Sequence, residues 1–161
     1  MPYDPEVEEL YALASRQSKL CLVVWAHEYS EKYVGLFEEY SDDTRVRTAR
    51  DAAYIWAKCE MKMPEARHFI LAAHKAAAES GNEIAEAAGR AVAHAAATVH
   101  SARHAFGLVL YGLTALAKIY GRDSAEVKEE IKRLYLGLEQ ISAEEKFKSE
   151  KWAKFLITEK R

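Results

Sequence analysis

One stretch governs what this chain can become. Residues 82–120 keep a helical pattern for 39 positions without a proline, apolar side chains recurring three and four apart. As a single rod the segment would measure roughly 58 Å. A compact domain of 161 residues has a radius of gyration of only about 15 Å, so the segment has to fold back. Thr98-Val99-His100-Ser101 offers two hydroxyls able to cap a new helix start, and the break is expected there, with Gly107 as the second candidate. Residues 72–105 hold 15 alanines in 34 positions, and alanine both favours helix and lets backbones approach closely. The expected fold is all-α: one compact multi-helix bundle with an alanine-rich helical hairpin at its centre.

The rest of the chain agrees with a bundle. Prolines occur only at positions 2, 5 and 64, and no strand-like alternation appears between turn residues. Asp4-Pro5 starts a short helix carrying Val7, Leu10, Tyr11 and Ala14. A second helix is expected over about 18–40, with Leu20, Val24, His27, Val34 and Phe37 on one side. Ser41-Asp42-Asp43-Thr44 turns into a third, to about Glu60, with Val46, Ala49, Ala53 and Trp56 inward. Pro64 opens a fourth, which buries Ala66, Phe69, Ile70, Ala73 and Ala77 and stops at Gly81. Gly121 closes the helix that follows the break. Asp123-Ser124-Ala125-Glu126 reads as a capping box for a helix with Val127, Ile131, Leu134, Leu138 and Ile141 inward. Ser142-Ala143-Glu144-Glu145 reads as another, opening a last helix with Phe147, Trp152, Phe155 and Leu156. The count is seven to eight helices in a single domain over 1–161.

Composition narrows function by exclusion. Apolar residues are 50% and charged residues 30%, which is a soluble globular balance. A net charge of -2 argues against a general binder of nucleic acid or of acidic membrane. Cys21 and Cys59 lack ligand spacing and sit in apolar stretches, so both are expected as reduced, half-buried thiols. Met1–Glu6 carries no basic and apolar leader, and the longest uncharged runs, 91–102 and 104–117, are too short to span a bilayer. The expected compartment is the cytoplasm.

Histidines form the one unusual cluster: His68, His74, His94, His100 and His104 fall within 37 residues. His100 and His104 stand four apart, which on a helix puts both rings on one face, a spacing able to bind zinc. Mirror symmetry about Gly81 sets His68 opposite His94. Glu60, Glu65 and Glu79 are the nearest carboxylates in sequence. The competing reading is of polar side chains bonding inside a bundle, and no metal or other cofactor is assigned. Glu65-Ala66-Arg67-His68 matches one half of a di-iron motif, which needs two such units and further glutamates. Thr98 and Ser101 lie near histidines, yet no acidic residue between Gly89 and Asp123 could orient one, so no catalytic residue is named.

A docking face is the other candidate. Tyr29, Tyr33 and Tyr40, with Phe37, give the second helix an aromatic stripe, part of it exposed beside Glu28, Glu31, Glu38 and Glu39. The first 45 residues hold 10 acidic and 4 basic side chains, which favours a basic partner. Trp25, Trp56 and Trp152 fall on apolar faces and are expected in the core.

The order of motifs resembles a family of small all-α toxin-immunity proteins, the fifth immunity class. Leu22-Val23-Val24-Trp25-Ala26 and Gly35-Leu36-Phe37-Glu38 come first, then Arg47-x-x-Arg50-Asp51-Ala52 with Ile55-Trp56-Ala57. Pro64-Glu65-Ala66-Arg67 leads to Ala72-Ala73-His74-Lys75. The densest part runs from Ala88-Gly89-Arg90 through His94, Thr98 and His100 to His104-Ala105, and Glu150-Lys151-Trp152 closes the series. The resemblance spans about 18–120. It marks Arg50, Trp56, Arg67, His74, His94, Thr98, His100 and His104 as family residues. It implies a non-enzymatic protein that binds and neutralises a cognate protein toxin, and a homo-oligomer is compatible with it. The alternative is a metal-binding or enzymatic bundle built on the five histidines.

Overall fold

A computed structural model describes residues 4–58 and 61–158; Cys59 and Glu60, and with them the expectations placed on both, lie outside the described residues. The structure is all-α and compact, with eight helices of eight or more residues and a short ninth among the described residues. They are α1 (Pro5–Ser15), α2 (Lys19–Tyr29), α3 (Glu31–Glu38), α4 (Arg45–Ala57), α5 (Met63–Glu79), α6 (Glu83–Ala97), α7 (Ala105–Tyr120), α8 (Ala125–Glu144) and α9 (Lys154–Thr158). No helix is long and apolar enough to cross a membrane among the described residues.

The alanine-rich hairpin is α5 and α6, with α6 as its inner arm. Asn82 caps α6 by accepting from the Ile84 and Ala85 amides, at 2.8 and 2.9 Å. Every α6 position from Ala87 to Ala97 is buried except Arg90 and His94, and the helix packs against α3, α4, α5 and α7. Small side chains permit this. A Cβ on Gly89 would come within 2.8 Å of the Ala77 Cβ. α5 is the outer arm and leaves Leu71 and Met63 exposed.

The break in residues 82–120 falls where chain length demanded it, though not by hydroxyl capping. Thr98 is fully buried and its hydroxyl donates back to the His94 carbonyl at 3.1 Å. Ser101 makes no side-chain cap to the 3-10 turn Ala102–His104 that leads into α7.

Two helices differ from expectation. The span 18–40 is divided at Ser30, whose hydroxyl donates to the His27 carbonyl at 2.9 Å. Arg50 of α4 donates through Nε to that same carbonyl at 3.0 Å and to the Ser30 hydroxyl at 3.2 Å. A guanidinium thus enters the backbone ladder and separates α2 from α3. At the other end, Ser142 opens nothing. α8 runs through it to Glu144 and stops at Glu145, which has a left-handed φ of 51°. The expected last helix is instead the 3-10 turn Lys146–Ser149, an extended link and α9. The Trp152 indole donates to the Phe147 carbonyl at 2.6 Å, and the Ala153 amide donates to the Ala57 carbonyl at 2.7 Å, fastening the end of the chain to α4.

All three tryptophans are buried, and Trp25 ties α2 to α8 by donating to the Leu134 carbonyl at 3.1 Å. Cys21 is buried as well, and burial pushes its thiol pKa up to about 11, which suits an inert core side chain.

Candidate functional site

α5, α6 and the turn before α7 bring three of the five histidines into contact. His74 meets His94 edge to face, with ring centroids 5.2 Å apart. His94 Nδ1 lies 3.2 Å from His104 Nδ1. Tyr111 of α7 stacks flat on His94, with centroids 5.1 Å apart. Room for this stack comes from Gly107, where any Cβ would overlap the His94 imidazole. Arg90 Nη1 approaches His74 Nδ1 at 3.1 Å, and the same guanidinium bonds Glu86 through Nη2 at 3.2 Å. A guanidinium can only donate, so His74 accepts at Nδ1 and carries its proton on Nε2.

The cluster is built to stay neutral. Burial, followed by the fields of His74, His104 and Arg90, pushes the His94 pKa down to about 4. Burial and the Arg90 charge lower that of His74, and burial with His100 and Arg103 lowers that of His104. His27, stacked on Tyr54 at 4.1 Å beside Arg50, is pushed down to about 4 chiefly by burial. A testable consequence follows from the sign of these shifts. Unfolded histidines take up protons near pH 6.5, whereas His94 and His27 refuse them in the fold. Stability should therefore fall as pH drops from about 6.5 towards 4. Histidine NMR titration should find both rings neutral at about pH 5.5, and midpoints above about pH 6 would contradict the geometry.

The other two histidines stand elsewhere. His68 is exposed and does not face His94. The Gly89–Ala77 and Arg90–His74 contacts centre the hairpin beyond Gly81, near Asn82, so the α5 partner of His94 is His74. His100 and His104 are not two rings on one helix face, because 98–101 is a turn. His100 is exposed and stacks instead on Trp56, with centroids 6.2 Å apart. Among the described residues no three His, Cys, Asp or Glu side chains form a group that could hold a metal ion.

The separated rings nevertheless share a cleft. A depression of about 360 Å³ is lined by Trp56, Met63, Arg67, Ile70, Leu71, His74, His100 and His104. Five of these eight are the family residues picked out in the sequence. A family model described as Imm-5 like putative immunity protein matches residues 12–140. The chain belongs to this family. The match extends beyond the 18–120 expected and takes in most of α8. No curated protein and no solved structure matches the chain.

Of the other residues that the resemblance marks, Arg50 and Thr98 act inside the fold. Arg50 divides α2 from α3 and pairs with Glu31 at 3.0 Å, and Thr98 closes α6. The face expected on the second helix is changed by the division at Ser30. Glu28, Glu31, Glu38 and Glu39 are exposed. Tyr33 and Phe37 are wholly buried, however, and Tyr29 is half-buried, so most of the aromatic stripe turns inward and Tyr40 alone of the four is exposed. Arg47 bonds Glu31 at 3.1 Å and Glu38 at 2.8 Å, which answers part of the acidic charge from within the chain.

One polar site had no place in the sequence reading. Glu130 of α8 has a side chain only 1% exposed. It accepts from Lys32 at 3.0 Å, from Arg133 at 2.6 and 2.9 Å, and from the Tyr33 hydroxyl. Arg133 lies over the Tyr29 ring, 4.7 Å from its centroid. The signal was available: Glu130 falls in the apolar stripe of Val127, Ile131, Leu134 and Leu138, where a lone carboxylate has to find partners.

Proposed function

We propose that the chain is a non-catalytic immunity protein that binds a protein toxin and neutralises it by occupying the surface the toxin needs, acting in the cytoplasm. The observation that carries this reading is the family match over 12–140, which takes in α2 to α7 whole. The chemistry of the histidines supports it. The Thr98 hydroxyl is committed to the His94 carbonyl and no carboxylate lines the cleft beside His74 and His104 among the described residues, so no base-activated hydroxyl of the triad kind is assembled there. Glu28, Glu38 and Glu39 remain candidate contact residues on the exposed acidic side.

The test has two steps. The folded protein serves as bait in a lysate of its source organism, and a stoichiometric partner is identified by mass spectrometry. That partner is then produced in a host alone and together with this chain. The expected result is growth arrest by the partner alone and restored growth in the pair. A partner that is harmless alone, or equally harmful in the pair, would overturn the reading.

A further inference from the structure

The cleft around Trp56 is one half of a longer trough. A second depression, of about 440 Å³, is lined by Lys19, Met61, Lys62, Val99 and Phe155 and shares Trp56, Met63 and His100 with the first. No carboxylate lines either depression among the described residues. α5 explains this. Met63, Arg67, Ile70, Leu71 and His74 recur at helical spacing on one side, while Glu65, two positions from both Met63 and Arg67, belongs to the other.

At one end of the trough Lys19 donates to the His100 carbonyl at 3.0 Å, but other donors along it have no acceptor among the described residues. Arg45, Arg47 and Arg50 each pair with a carboxylate of the chain. Arg67 is exposed and makes no ion pair among the described residues. Trp25 and Trp152 spend their indole N–H on backbone carbonyls, but Trp56 makes no such bond among the described residues. His74 keeps its proton on Nε2, as its bond from Arg90 requires. Between these donors stand apolar side chains in water, Leu71 at 55% exposure and Met63 at 43%. Trp, Met and Arg together are the residue types enriched at protein interfaces.

We propose that this trough docks an acidic segment of the protein partner, one whose carboxylates alternate with apolar side chains. The proposal rests on the reading of the chain as a toxin-binding protein and names the part of the toxin that is held. The carboxylates meet Arg67, Lys62 and the Trp56 indole, and the apolar side chains cover Leu71 and Met63. Charge complementarity decides between the two faces of the molecule. The acidic face near α3 is already partly answered by Arg47 and Arg50, whereas Lys62 and Arg67 of the trough pair with no carboxylate, and none lines it, among the described residues.

The probe is a blocked hexapeptide of alternating glutamate and leucine, with its lysine–leucine counterpart as control, followed by NMR of the full chain. The glutamate peptide should shift the Trp56 indole signal and the rings of His100 and His104. The double variant K62E/R67E should weaken its binding at least tenfold. Both positions are exposed and outside the core, so circular dichroism should be unchanged. Equal or tighter binding of the lysine peptide, or shifts mapping to the α3 side, would overturn the assignment. The captured partner separates the two claims. If K62E/R67E still neutralises it fully, the trough is not the docking site and the immunity reading stands. If the glutamate peptide occupies the trough but the partner is not neutralised by the unaltered chain, the immunity reading fails and the trough assignment stands.

Discussion

Glu130→Gln is expected to lower stability by about 3 kcal/mol at neutral pH, the lower part of the range for breaking a buried ion pair. Glutamine keeps the shape but offers an amide N–H₂ to Arg133, Lys32 and Tyr33, all of which are donors. The cost stays in the lower part because Lys32 and Arg133 are about two-fifths exposed and can turn to water. For a chain of this size the melting temperature should drop by about 6–12 °C. The difference should shrink in acid. Burial alone would raise the Glu130 pKa, but the bonds from Arg133, Tyr33 and Lys32, with the guanidinium charge, hold it below the ordinary 4.5. A carboxylate with a depressed native pKa contributes stability that is complete above its unfolded pKa. That contribution is lost as pH falls through the native value. Thermal unfolding of both proteins between pH 7 and pH 3 checks this. A gap that does not change over that range would mean Glu130 is not ionised in the fold.

Gly112→Ala is expected to cost a similar amount, about 3 kcal/mol, from overpacking together with a lost hydrogen bond. The added Cβ would stand 2.6 Å from Tyr33 Cζ and 2.9 Å from its hydroxyl oxygen. Tyr33 cannot swing away, since it has no exposed surface and its hydroxyl is held by Glu130. Either α7 moves off α3 or the tyrosine releases the carboxylate. Because both substitutions strike one contact, the double variant with Glu130→Gln should lose less than the sum of the two. Urea denaturation of the four proteins measures the coupling. A loss below about 1 kcal/mol for Gly112→Ala would show that α7 moves aside freely.

What could be read in advance follows from the range over which each cause acts. Chain length forced residues 82–120 to fold back, and the alanines marked the hairpin as central, although only its α6 arm lies inside while α5 faces outward; both readings rest on properties of a continuous stretch. Proximal capping chemistry held for Asp4, while the box expected from Asp123 is shifted by one residue, Ser124 being the cap that accepts from the Val127 amide; Ser18 and Asn82 cap α2 and α6 without having been singled out. The division at Ser30 was not legible, because its cause is Arg50, twenty residues later and on another helix. The capping box at Ser142 misled because the motif is indifferent to whether a helix is already under way. The pairing of His100 with His104 failed on its premise of an unbroken helix. The trough could not be foreseen as a unit, since Trp56, Arg67 and His100 come from three separate segments. The family resemblance marked all three without showing that they share a cleft.

The glycines of the long helices bear on a problem peculiar to bundles rich in alanine. A surface of repeated methyl groups looks nearly the same after a slide of one turn, so such helices have little to tell one alignment from the next. Here aromatic rings rest on bare backbone: His94 over Gly107, Tyr33 over Gly112 and Tyr29 over Gly137. Each ring would strike a Cβ at that spot, and only a glycine lacks one. The three pairs act as keys in notches, two along α7 and one on α8. They fix where α7 sits on the helices that carry His94 and Tyr33, and where α8 sits on the helix that carries Tyr29.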